Sequence, residues 1–146
     1  MSITPNPDQF AELASAPDDG PVVMLNLLKF KARADTPAVG VGDDGSDDQT
    51  GEESYRSYGD VAVQMIEERG GSVIWAGRAQ QILIGDAVQD WDQVLLVQYP
   101  SRAAFLDMVS KPEYLEAHEH RESGLERTIV VACRPGLDRI TELGTR

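Results

Sequence analysis

The stretch PEYLEAHEHR, residues 112–121, sets two histidines two positions apart among carboxylates and beside an arginine. Such residues serve divalent-metal ligation, proton transfer by an imidazole, or recognition of a polar ligand by a helix face. Metal ligation fails on geometry. Positions two apart on a helix point about 200° apart, so His118 and His120 do not reach one ion from the same helix. Leu115, His118, Glu122 and Leu125 recur at spacings of 3, 4 and 3, which predicts an inward stripe carrying His118 and Glu122 and leaves His120 on the polar face. Glu122, one turn beyond His118, is placed to accept a ring N–H, fix the tautomer and raise the pKa. Tyr114 lies one turn earlier. His118 with Glu122 is therefore the candidate acid/base pair, set against the plainer reading of a hydrogen-bonded histidine at a helix–sheet boundary.

Other residues interrupt apolar surroundings. Asn26 stands inside VVMLNLLKF, and a buried amide there needs another side chain, water or a ligand to satisfy it. Arg78 lies among apolar neighbours and needs a carboxylate or a bound anion. Tyr55, Tyr58 and Trp75 are expected to line a cavity between helices and sheet, with core packing as the alternative. The sequence has no G-x-S-x-G, P-loop, H-E-x-x-H, C-x-x-C or dinucleotide-binding glycine pattern, which argues against classical hydrolases, kinases and dehydrogenases. Cofactor-free proton transfer leaves little such trace. No cofactor and no metal site is expected.

The elements that must hold these residues follow from patterning. Asn6-Pro7-Asp8 reads as a cap and first turn of a short helix with Phe10 and Leu13. VVMLNLLKF, residues 22–30, is apolar on both parities and reads as a strand buried on both faces. Residues 31–51 form a long Gly/Asp-rich loop. Its run DDGSDDQTGEE fails as a calcium loop, because neither the glycine nor the closing glutamate falls in place. Thr50-x-x-Glu53 is a capping box opening a helix with Tyr55, Tyr58, Ala62, Met65 and Ile66 at helical spacing, and Gly70-Gly71 ends it. SVIWAGRAQQILIG, residues 72–85, reads as a long strand with Gly77 inside it marking a bulge or a close approach, and it returns through QVLLVQY, residues 93–99, as a hairpin. Ser101 caps a short helix, Ser110-x-x-Glu113 predicts a second capping box that restarts it, and ERTIVVACR supplies the last strand.

A chain of 146 residues with 41% apolar content suits a single core. The expected division is an N-terminal helical extension over 1–20, an α+β domain over 21–135 and a polar tail over 136–146. The net charge of -12 opposes nucleic acid and anionic membrane, although seven acidic residues and no basic one lie between Ala34 and Tyr55. The start of the chain has no basic, apolar leader and no stretch approaches a membrane span, so a cytoplasmic protein is expected. The single cysteine, Cys133, allows no internal disulfide and reads as apolar filler.

Two strand–helix–strand crossovers joined by a hairpin predict a ferredoxin-like βαββαβ arrangement, a four-stranded antiparallel sheet with its helices on one face. Its strands are apolar on both parities, so a second copy is expected to cover the other face in a symmetric homodimer.

The stretches SYRSYGDVAVQMIEERGGSVIWAGRAQQILIGD and WDQVLLVQYPSRAAFLDMVSKPEYLEAHEHR, above all YPSRAAFLDMVSKPEY, resemble the domain-of-unknown-function 1330 family within the dimeric α+β barrel superfamily. The resemblance spans residues 21–135, with the front helix and the acidic loop as departures. It implies the fold and the dimer, and no reaction. The leading expectation is a homodimeric small-molecule-binding protein, with proton transfer on a carbonyl or aromatic compound as its enzymatic form. In that form His118 and Glu122 move the proton, and Asn26, Arg78 and a tyrosine polarise the ligand. A non-catalytic binder or stress-related protein is the alternative. Haem held by a helical histidine is a third reading, which the superfamily alone suggests.

Overall fold

The computed structural model describes residues 6–17, 20–35, 49–86 and 90–136. The centre of the acidic loop, residues 18–19 and the polar tail beyond 136 lie outside the described residues. The elements run α1 (Pro7–Ser15), β1 (Val22–Phe30), α2 (Gly51–Glu68), β2 (Ser72–Arg78), β3 (Gln93–Tyr99), α3 (Arg102–Val109), α4 (Pro112–Gly124) and β4 (Leu125–Cys133).

Side-chain caps start three of the helices. The Gln9 N–H donates to Asn6 Oδ1 at 2.7 Å, and the Ala104 N–H donates to Ser101 Oγ at 3.0 Å. At α2 both halves of the capping box form, with Glu53 N–H on Thr50 Oγ1 and Thr50 N–H on Glu53 Oε1. Gly70 ends that helix at φ 84°, where a side chain would be strained. The second capping box does not form. Ser110 closes α3 instead, donating its hydroxyl to the Asp107 carbonyl at 2.8 Å, and α4 starts from Lys111 with Pro112 in its first turn.

The strands form one antiparallel sheet in the order β2-β3-β1-β4. With the helices on one side, this is the ferredoxin-like α+β fold, preceded by the extra helix α1. Strand β1 sorts its residues by parity. Val22, Met24, Asn26, Leu28 and Phe30 are buried toward the helices, and Val23, Leu25, Leu27 and Lys29 face the other way. Register carries that division across the sheet: Met24 pairs with Val97 and Ala132, Leu25 with Leu96 and Val131.

Strand β2 is shorter than its apolar composition predicts. Its last residue, Arg78, lies opposite Gln93, the first residue of β3. Beyond it Ala79 bonds to the Asp92 carbonyl, and the chain then bends, leaving Leu83 and Ile84 84% and 91% exposed. A bulge between Val73 and Trp75 also reverses the parity of the strand. Val73 shares the face of Val97, while Trp75, two residues later, sits beside Leu96 on the face away from the helices.

Helices α2 and α4 touch at backbone distance where both meet the end of β1. A Cβ on Gly124 would collide with the Gly51 carbonyl, and one on Gly51 with Lys31 and Gly124 backbone atoms. The Lys31 N–H donates to the Gly124 carbonyl at 2.8 Å and the Gly51 N–H to the Lys31 carbonyl at 3.1 Å. Nearby, Ala34 N–H reaches the Gln49 carbonyl and Asp35 N–H the Ser123 carbonyl, so both feet of the acidic loop are fastened. The Ser54 hydroxyl adds bonds to the His120 carbonyl and Ser123 Oγ.

This packing sets the phase of α4, which differs from the stripe read in the sequence. Tyr114, Ala117, Arg121 and Gly124 are buried, whereas Leu115 is 56% exposed. The small residues Ala117 and Gly124 admit α2, and that contact outweighs the pull of one leucine.

The face away from the helices carries Val23, Leu25, Leu27, Val94, Leu96, Ile129 and Val131, with Trp75 49% exposed at its edge. Cys133, expected as buried filler, is half-buried on this face.

Replacing Gly124 with Ala forces the helix pair apart and is expected to lower the unfolding free energy by about 2–3 kcal/mol in urea titration. Gly59→Ala, where a Cβ meets nothing, is expected to gain about 0.5–1 kcal/mol from helix propensity.

Candidate functional site

Two apolar clusters pack the helices against the sheet. One joins Val22, Met24, Val97 and Tyr99 to Ala62, Met65, Ile66 and Met108; the other joins Leu28 and Phe30 to Tyr55 and Leu125. Residues of both clusters also line a cleft of about 1360 Å³, whose wall includes Asn26, Tyr55, Tyr58, Arg78, Tyr114 and His118 together with Phe10 and Leu13 of α1.

An aromatic ladder lines one side. Ring centroids lie 5.5 Å apart for Phe30 and Tyr55, 5.3 Å for Tyr55 and Tyr58, 5.8 Å for Tyr58 and Tyr114, and 5.7 Å for Tyr114 and His118. The hydroxyls of Tyr58 and Tyr114 share a hydrogen bond at 3.0 Å. Burial pushes the Tyr55, Tyr58 and Tyr114 hydroxyls above the ordinary phenol value, so they stay protonated and neutral.

Arg121, absent from the sequence-derived candidates, is central. Its side chain is 6% exposed on the cleft wall, and its guanidinium stands 6.0 Å from the Tyr58 ring centroid. Its charge acts on the Tyr55 and Tyr58 hydroxyls against the effect of burial. The signal for it was the spacing Tyr114, Ala117, Arg121, Gly124, a stripe of small and amphipathic residues that hydropathy ranks low.

His118 lines the cleft with Glu122 beside it, Nε2 lying 3.7 Å from Glu122 Oε2. That is an ion-pair distance and too long for a hydrogen bond. The sequence predicts a raised pKa here; the structure gives a lowered one. Burial acts first and the Arg121 charge second, and together they outweigh Glu122, which is itself 40% exposed. His118 Nδ1 is buried, with no hydrogen-bond partner among the described residues. Protonation would place an N–H there with nowhere to donate, which also favours the neutral ring.

Asn26 lines the cleft. Its amide donates to backbone carbonyls, Met24 at 3.0 Å and Leu95 at 3.4 Å, in place of the side chain, water or ligand expected. Arg78 finds its carboxylate in Glu52, at 3.1 Å, across the gap from β2 to the first turn of α2. The bulge that turns Arg78 toward α2 turns Trp75 away, and the indole lies against Gly77 on the opposite face. Trp75 is therefore apart from the other candidates. Among the described residues no group of three or more His, Cys, Asp and Glu gathers as a metal set, and no helix is long and apolar enough to cross a membrane.

Sheet order, crossovers and cleft define an α+β protein of the ferredoxin-like kind. Residues 46–133 match the family described as Domain of unknown function (DUF1330), and the chain belongs to that family. It is 35% identical to a protein of unknown function from Rhodopseudomonas palustris, covering 93% of this chain and 98% of that one at a TM-score of 0.81. More distant structures share the fold. An Arabidopsis thaliana protein is 18% identical over 80% of this chain and 97% of its own, at a TM-score of 0.52. A Mesorhizobium loti protein, described as a dabb family protein with a ferredoxin-like fold, is 11% identical over 80% and 98%, at 0.50. No curated protein matches the chain.

His118 is expected to titrate below the ordinary value of 6.5 when its ring protons are followed by NMR, and Glu122→Gln to move it lower still. With the folded value depressed, the unfolded chain takes up the proton first, so the His118 contribution lowers stability as pH falls through and below 6.5. An unshifted or raised value would contradict the dominance of burial and Arg121 over Glu122.

Proposed function

We propose that this chain is a homodimeric protein that binds a small, mainly apolar molecule, one per subunit, in the cleft between helices and sheet. The observation that carries the reading is the cleft wall itself. Asn26, Tyr55, Tyr58, Arg78, Tyr114 and His118, drawn from four elements, meet around a space large enough for a drug-sized ligand. Fixed polar groups on an otherwise apolar wall suit recognition of a ligand with one polar end.

The lowered His118 pKa favours an enzymatic form of the same reading. A neutral imidazole at physiological pH is the form that accepts a proton, so His118 is the general base and Glu122, beside Nε2, stabilises the imidazolium that follows. Under this reading Trp75 has no part in the ligand site.

Support for the dimer comes from the other face of the sheet. Seven aliphatic side chains from β1, β3 and β4 form a patch there, with Ile129 37% and Val131 45% exposed. Covering it with its own image buries apolar area on both subunits at about 25 cal/mol per Å² and removes an aggregation hazard.

Naphthalene is expected to bind in equilibrium dialysis at one site per chain, and Leu95→Trp, which fills the cleft beside Asn26, to abolish that binding. Binding that survives the substitution, or no binding by the wild type, would count against the cleft. In sedimentation velocity the wild type is expected to run as a dimer at micromolar concentration and Leu25→Asp as a monomer. A wild-type monomer would sink the dimer.

A further inference from the structure

We infer that the Tyr114 hydroxyl is the directed hydrogen-bond donor of the cleft, turned outward by Arg121 acting through Tyr58, and that it selects ligands bearing a carbonyl oxygen on a flat apolar body. This rests on the reading of the cleft as a small-molecule site and deepens it.

The direction follows from what each group is able to give. A guanidinium only donates. Arg121, buried on the cleft wall with its guanidinium 6.0 Å from the Tyr58 ring centroid, repels a Tyr58 proton turned toward it. Tyr58 has one proton of its own, and its neighbour at 3.0 Å is the Tyr114 oxygen. The reverse order would leave the Tyr58 proton free beside a cation. The Tyr58 proton therefore goes to Tyr114, and the Tyr114 oxygen is the acceptor of that bond. The Tyr114 proton is left over, and the hydroxyl has no other hydrogen bond among the described residues. Tyr114 lines the cleft, so that proton is offered to whatever the cleft holds.

The surroundings narrow the ligand. The Tyr114 donor is neutral and has one proton to give, flanked by the Tyr58 ring on one side and the His118 ring on the other. Rings at these spacings favour a flat body beside them. One carbonyl oxygen satisfies the one donor.

Acetophenone and α-methylstyrene, which differ by an oxygen in place of a methylene, test this in competition with naphthalene. Wild-type protein is expected to prefer acetophenone about tenfold, the scale of one hydrogen bond. Tyr114→Phe is expected to erase the preference while leaving α-methylstyrene affinity unchanged. Tyr58→Phe keeps the donor but removes its anchor, and is expected to lower the preference about threefold. A merely structural role for either tyrosine would weaken both probes alike and leave the ratio where it was. Equal wild-type affinities, or a preference that survives Tyr114→Phe, would overturn the inference and leave the cleft standing as a binding site. Failure of both probes and of naphthalene to bind would remove the cleft reading and the inference with it.

Discussion

The contact between α2 and α4 at Gly51 and Gly124 governs the rest of the architecture. Two helix backbones approach so closely there that neither position admits a methyl group, and Lys31 ties both to the end of β1 through its N–H and its carbonyl. Held by each other at that point, the helices reach the sheet through two apolar clusters, both of which contribute to the wall of the cleft. Asn26 is tolerated in that wall because its amide is satisfied by the backbone of its own and the adjacent strand. The cleft is thus a product of helix–helix packing as much as of the sheet.

Charge inside the cleft is arranged around the same helix pair. Arg121 follows from the phase that Ala117 and Gly124 impose on α4, and it arrives among tyrosines. Its charge draws down the hydroxyls that burial raises and helps to keep His118 neutral. Burial therefore sets the protonation of these groups, with Arg121 opposing it at the tyrosines and reinforcing it at His118, where Glu122, at the rim and partly in water, has the smaller influence.

Much of the fold was legible in the sequence because its signals are local. Thr50 with Glu53, Asn6 with Pro7, Ser101 and the periodic stripe of α2 all act within one or two helical turns, and each predicted an element that forms. The strand order followed from crossover handedness once those elements were placed. What escaped depends on contacts between elements distant in sequence. The phase of α4 is fixed by α2, against a leucine that points to solvent. The end of β2 is fixed by where β3 begins, and residues 79–85 look like strand only to composition. A single bulged residue in β2 moved Trp75 out of the cleft and brought Arg78 to Glu52; Gly77 announces a bulge or a close approach in SVIWAGR, and the indole does lie against it, but the bulge itself falls earlier, between Val73 and Trp75. Of the candidate residues, Asn26, Tyr55, Tyr58, Tyr114 and His118 line the cleft; Glu122 stands 40% exposed at the rim instead of on an inward stripe, and the buried arginine was overlooked because an isolated cation reads as surface.

The fastened feet of the acidic loop carry an evolutionary corollary. Lys31, Ala34, Asp35, Gln49 and Gly51 close the base of that segment with backbone bonds to one another and to the end of α4. Whatever is spliced between those anchors begins and ends at fixed points, and lengthening a closed segment adds only about 0.6 kcal/mol per doubling. Insertion there is thermodynamically cheap, so this corner of the molecule is where descendants of the fold can diverge in length without disturbing the framework, and where a peptide tag or reporter could be grafted at little risk to folding.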